Sequence, residues 1–209
     1  MRHKLCHPAR SAAPVARSPV LRYALRCLVD SVLVLVVCCI SPSPTTPYQA
    51  AEALYAMIPH AVPRATLEEY GIDTTPDQAR QITREVLSLS LFWVHSALQV
   101  ALPKSSQERV FGELRQRLVK SWQSELGQEG QDVQEYLEEM ESRRSSYDGV
   151  VQERGTPVMV SAEAADILES GGAVPSEDRQ KILALLLDLV PVDPIGELVA
   201  ELNLTDREP

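Results

Sequence analysis

The chain has 209 residues, of which 44% are apolar and 23% charged, as is typical of one soluble globular domain with a packed core. Residues 1–45 contain six basic side chains and one acidic one, which leaves 14 basic and 28 acidic side chains, a net charge of −14, for residues 46–209. So acidic a domain repels phosphate backbones, which argues against nucleic-acid binding.

The first 45 residues form a basic, Pro/Arg-rich extension with an apolar run at 31–40. Three interpretations stay open: a disordered segment outside the fold, a secretion signal, or a membrane anchor. The sequence SPSPTTP directly after the run disfavours signal cleavage. A membrane could be crossed only through residues 23–40, which include Arg26 and Asp30. We expect a cytoplasmic protein, with anchoring or export through 31–40 as the alternative.

Residues 46–209 predict an acidic all-α domain, an irregular bundle of about five to seven helices. The clearest helix start is Thr-Pro-Asp-Gln at 75–78, a capping box with proline at the first helical position. A second capping box, Ser-Ser-Gln-Glu at 105–108, predicts the next helix. The predicted helices cover residues 50–58, 75–102, 105–126, 131–153, 158–169, 176–190 and 194–202.

The spacing of apolar residues supports these helices and indicates which of them lies at the centre of the bundle. Residues 86–102 contain no charge, which predicts that the helix 75–102 is central to the bundle. In the helix 131–153, apolar residues from Val133 to Val151 follow a heptad-like seam that includes Tyr147. Arg144 occupies one seam position, where it either extends to solvent or binds an anionic ligand.

Catalytic, metal-binding and cofactor-binding residues are not predicted anywhere in the chain. Glycine-rich phosphate loops and the His-Glu-x-x-His pattern are absent from the sequence. All four cysteines lie within the first 40 residues, so the acidic domain has no thiol chemistry. The candidates for a ligand pocket between helices are Trp93, His95, Arg144 and Tyr147, with a hydrogen-bonded core histidine as the alternative role for His95.

The segment 182–204 has more apolar surface than a terminal helix needs. One interpretation is that Leu198, Val199 and Leu202 fold back over the helix that ends near Val190. The other is a homodimer or protein-partner contact, for which the candidates are Leu186, Leu189, Leu198 and Leu202.

Residues 92–118, FWVHSALQVALPKSSQERVFGELRQRL, and the later SSYDGVVQERG resemble a set of small all-helical bacterial proteins of uncharacterised function. This resemblance implies a helical fold and no particular activity. Two function classes follow from the sequence as a whole. The first is a non-enzymatic interaction or regulatory module, and the second is a small-ligand-binding protein or enzyme with a site near His95 and Arg144.

Overall fold

The computed structural model describes residues 45–126, 128 and 130–204. The described residues all belong to one compact unit, Pro44–Pro209. The predictions for residues 1–44, including the apolar run at 31–40, lie outside the described residues. Among the residues that the structure describes, none of the helices combines the length and apolar character that a membrane crossing requires.

The described residues form an all-α bundle, which confirms the predicted fold class. One helix, α2, was not predicted, because six residues are too few to show a helical period. The α-helices are α1 (Pro47–Met57), α2 (Arg64–Glu69), α3 (Pro76–Ala101), α4 (Lys104–Ser121), α5 (Val133–Gln152), α6 (Pro157–Ser170), α7 (Arg179–Leu189) and α8 (Val192–Glu201), with a 3-10 turn at Ser176–Asp178.

Two helices begin with the same four-residue pattern, Thr-Pro-x-Gln. Thr75 and Gln78 form the predicted capping box of α3, and Thr46 and Gln49 form an identical box on α1. The sequence therefore contained the true start of α1, three residues before the predicted one. The second predicted box was wrong, because α4 begins at Lys104 with Pro103 as an N-cap that has no capping side chain.

The boundary of the folded unit lies slightly earlier than predicted. The Thr45 N–H donates to the carbonyl oxygen of Asn203 at 2.9 Å, and Thr45 forms an isolated parallel bridge with Leu204. Thr45, which the sequence assigned to the extension, is thus fixed to the C-terminal end of the folded unit.

The core consists of two apolar clusters. The first core cluster contains Leu54, Leu98, Leu114, Leu118 and Ile195, among others. The second core cluster contains Ile82, Leu89, Leu168, Leu185 and Leu186, among others. Helix α3 contributes opposite faces to both clusters, and Trp93 packs against both, so this helix is central as its uncharged run predicted.

Helices α7 and α8 do not cover each other in the way expected from the sequence. Leu185 and Leu186 of α7 lie in the second core cluster, whereas Ile195 and Val199 of α8 lie in the first. The fold-back prediction was wrong because α8 packs against α3 and α1. Leu186 is 0% exposed, so its side chain is part of the core and cannot contact a partner in this fold.

The remaining interface candidates are half-buried. Leu189 packs against the second core cluster, and Leu198 and Leu202 pack against the first. The most exposed large apolar side chain of α7 is Leu187, which the sequence did not single out.

Candidate functional site

A cleft of about 450 Å³ opens between α3, α5 and the C-terminal end of α6, and we call it the α3–α5 cleft. Its polar side chains come from α3 and α5, and its apolar wall comes from α6 and the loop that follows. The lining residues are Gln81, Arg84, Glu85, Glu135, Glu139, Arg143, Ile167, Leu168, Gly171 and Ala173.

Glu85 is the deepest charged group of the cleft and is only 2% exposed. Its carboxylate accepts hydrogen bonds from Tyr147 Oη and from Arg143 Nε, the latter at 2.9 Å. Burial raises the pKa of Glu85, and the neighbouring Arg143 guanidinium opposes that rise. Carboxyl groups with raised pKa values inside clefts are found preferentially at functional sites.

Glu139 connects two arginines on the solvent side of the cleft. Its Oε1 accepts from Arg143 Nη2 at 3.0 Å, and its Oε2 accepts from Arg84 Nη2. The Glu139 side chain is 28% exposed, so its carboxylate contacts solvent, whereas that of Glu85 is buried. The cleft therefore contains two guanidinium groups bridged by one partly exposed carboxylate.

Arg84 is held in place by its other neighbours. Its guanidinium lies 5.5 Å from the centre of the Tyr136 ring, and its Nη1 donates to Gln131 Oε1 at 3.4 Å. The Arg84 Nε is buried without a hydrogen-bond partner among the described residues. A buried hydrogen-bond donor without a partner lowers stability by about 1–3 kcal/mol. The described side chains therefore do not satisfy every donor of the Arg84 guanidinium.

Tyr136 forms the floor beneath Arg84. Its ring stacks on Trp122 at 4.6 Å between centroids, and its hydroxyl accepts from Ser88 Oγ at 3.2 Å. Complete burial raises the pKa of the Tyr136 hydroxyl, which therefore stays neutral. This aromatic support fixes Arg84 on rigid helices rather than on a loop.

The four pocket candidates from the sequence fall into three places. His95 and Arg144 do meet: His95 Nε2 accepts from Arg144 Nη1 and from Gln107 Nε2, both at 3.3 Å. Tyr147 is fully buried and does not line the α3–α5 cleft, but its hydroxyl donates to Glu85, which does. Trp93 lies apart from these polar groups, with its ring centre 5.1 Å from that of Phe92.

The contacts of His95 support a structural role. Since Arg144 can only donate, Nε2 is the acceptor and the ring is neutral with its proton on Nδ1. Burial, followed by the positive charge of Arg144, lowers the pKa of His95. The ring also packs edge-on against Phe111 at 5.1 Å between centroids.

Sequence reasoning missed Glu85 and Arg143. The helical seam predicted for α5 was confirmed at Val133, Leu137, Met140 and Tyr147, all of which pack in the core clusters, and was wrong at Val151, which is 44% exposed. It missed the buried Tyr136 and also Arg143, which lies on the same side as Met140. A helical stripe centred on Tyr136 and Tyr147 would have placed Arg143 on the buried side of α5. Glu85 had no local signal, because its partner Arg143 lies 58 residues away.

Among the described residues, no group of three or more metal-ligating side chains comes together. Comparisons with protein-family models, with curated proteins and with solved structures found no match for the chain. The resemblance to small helical bacterial proteins therefore stays a prediction. Chemically, the cleft combines two guanidinium groups, three carboxyl groups, of which that of Glu85 is buried, and an apolar wall.

Proposed function

We propose that this protein is a small-ligand-binding helical module and that the α3–α5 cleft binds an organic acid. The bridging position of Glu139 between Arg84 and Arg143 supports this proposal above all. A ligand carboxylate or phosphate fits the same position, because the planar guanidinium group matches either anion with paired hydrogen bonds.

Glu139 is the most exposed member of this ion-paired network, with 28% of its side chain exposed against 14% for Arg84 and 26% for Arg143. Its displacement by a ligand anion exchanges one set of charge-assisted hydrogen bonds for another. Once released, the Glu139 side chain can extend into water. The ligand anion then restores the hydrogen bonds that both arginines lose.

The rest of the ligand is expected to be apolar and small. Ile167, Leu168 and Ala173 form the apolar wall opposite the arginines. The cleft volume of about 450 Å³ lies within the range of typical ligand pockets. The lining contains no Ser, Thr, Cys, Lys or His side chain, and two of its three carboxylates, those of Glu85 and Glu139, are ion-paired with arginine.

Isothermal titration calorimetry with hexanoate and with phenyl phosphate tests the proposal, with hexylamine as the cationic control. We expect Glu139→Gln to tighten the binding of both acids about tenfold, because the neutral amide competes less well for the arginines. We expect Arg84→Met to abolish binding. Each tenfold change corresponds to about 1.4 kcal/mol.

Glu135→Gln is the matched control, since Glu135 lines the same cleft without bridging the two arginines. It removes the same charge and should tighten binding far less than Glu139→Gln. Equal effects of the two variants, or no binding of either acid, would refute the proposal. Binding that survives Arg84→Met but disappears in Arg144→Met would place the site beside His95 instead.

A further inference from the structure

A second concave surface, separate from the α3–α5 cleft, lies between the C-terminal half of α3 and α8. We call it the α3–α8 groove, and its volume is about 590 Å³. Trp93, Ala97 and Val100 line it from α3, and Val192, Gly196 and Ala200 line it from α8. Small side chains on both helices keep it open.

Val100 is the most unusual residue of this groove because it is an apolar side chain that is 91% exposed. It lies one turn from Ala97 on the same helix, so the apolar lining continues outward to solvent. A Cβ added at Gly196 would meet no atom within 4 Å, so the space beside α8 is unfilled by the described chain. An apolar groove that continues into an exposed apolar side chain is typical of an interaction surface.

The rim of the groove is acidic. Asp193 and Glu197 lie one turn apart on α8 and line the groove, and Glu201 continues the same row one turn later. Asp193 and Glu197 form no ion pair with another described residue within 4.0 Å. A second copy of this chain would bring an identical acidic row and a net charge of −9, which disfavours self-association here.

From this combination we infer that the α3–α8 groove docks an amphipathic helix of a partner protein that has basic residues along one edge. The apolar side of that helix lies on Ala97, Val100 and Gly196, and its Lys or Arg side chains pair with Asp193 and Glu197. Such docking places apolar anchors at three- and four-residue steps in the groove. From Trp93 to Ala101 the groove extends about 12 Å along α3, enough for two turns of the partner helix.

A synthetic amphipathic peptide of about 18 residues, made of Leu, Ala and Lys, serves as the probe, and its Lys→Glu counterpart serves as the charge control. Binding of the labelled peptides to the full chain is followed by fluorescence anisotropy. We expect the Lys peptide to bind and the Glu peptide to bind at least tenfold more weakly. The double variant Asp193→Lys, Glu197→Lys should reverse this order.

Two matched pairs of variants locate the binding surface. Val100→Glu should weaken Lys-peptide binding at least tenfold, whereas Val158→Glu, which alters a valine that is 51% exposed on α6, should leave it unchanged. Gly196→Met fills the groove and should weaken binding similarly. Gly149→Met is its control, because Gly149 is also helical with open space around its Cβ position and lies outside the groove.

Thermal denaturation confirms that each variant is folded before binding is measured. Equal weakening by Val100→Glu and Val158→Glu would show non-specific attraction to an acidic protein and would overturn the inference. So would failure of the Lys peptide to bind. A dimer in light scattering that Val100→Glu dissociates would identify a second copy as the occupant and would also overturn it.

Discussion

Glu85 shows at the scale of one residue how burial and pairing compete. Removal from water disfavours the charged carboxylate, and the hydrogen bonds from Arg143 and Tyr147 favour it. Burial is the larger effect, so the pKa of Glu85 in the folded chain lies above the 4.5 of an exposed glutamate. Between these two pKa values the folded chain binds a proton that the unfolded chain has released.

This difference predicts how stability depends on pH. The contribution of Glu85 to the free energy of unfolding is fully present below about pH 4.5 and is lost as pH rises through its folded pKa. We therefore expect the stability of the wild type relative to Glu85→Gln to fall as pH rises above about 4.5. Each unit of pKa difference is worth about 1.4 kcal/mol. Urea unfolding of both proteins at a series of pH values measures this difference in the free energy of unfolding.

Ser90→Ala is the control for this pH dependence. Ser90 is also buried on α3, where its hydroxyl donates to the Val86 carbonyl oxygen at 2.7 Å, and it does not titrate. This variant should lose stability by a similar amount at every pH and keep the wild-type pH dependence. Parallel stability curves for the wild type and Glu85→Gln would contradict the prediction.

At the scale of the helix, the sequence predicted where elements lie better than which side of them is buried. The Thr75 capping box defined α3 because a cap depends only on residues three apart. The buried side of α5 depends instead on which neighbours it meets: Tyr147 is buried and Arg143 is half-buried where both pair with Glu85 on α3. Such a pairing across 58 residues leaves no trace in local spacing.

Helix α7 gives a direct test of the buried side that the structure defines. Leu186 is 0% exposed within the second core cluster, and its neighbour Leu187 is 42% exposed. Leu186→Ala should lower the free energy of unfolding by about 2–5 kcal/mol, because it removes packed methyl groups and leaves a cavity. Leu187→Ala should change it by less than about 0.5 kcal/mol. Urea denaturation of both variants measures the difference, and equal losses would contradict this orientation of α7.

At the scale of the whole folded unit, α3 contributes buried side chains to both core clusters, and α5 does so through Tyr136 in the first and Tyr147 in the second. The first core cluster takes its other large side chains mainly from α1, α4, α5 and α8, and the second mainly from α6 and α7. Adjacent residues of α3, such as Leu91 and Phe92, point into different clusters. The sequence indicated a central helix from its uncharged run. The sequence could not indicate that the core has two clusters. Helix α8 packs in the first cluster only because the chain turns at Pro191, and apolar spacing does not show the direction of that turn.

This shared helix predicts that the two clusters unfold together. In a Trp93→Phe background, Trp122 is the only tryptophan and reports on the first core cluster. Leu185→Ala weakens only the second core cluster, by about 2–5 kcal/mol. Because α3 cannot leave one cluster without leaving the other, the Trp122 fluorescence transition should move to lower urea by roughly 1 M or more, in step with the loss of helical circular dichroism. A Trp122 transition that stays in place while the helical signal is lost in two stages would show that the clusters unfold independently.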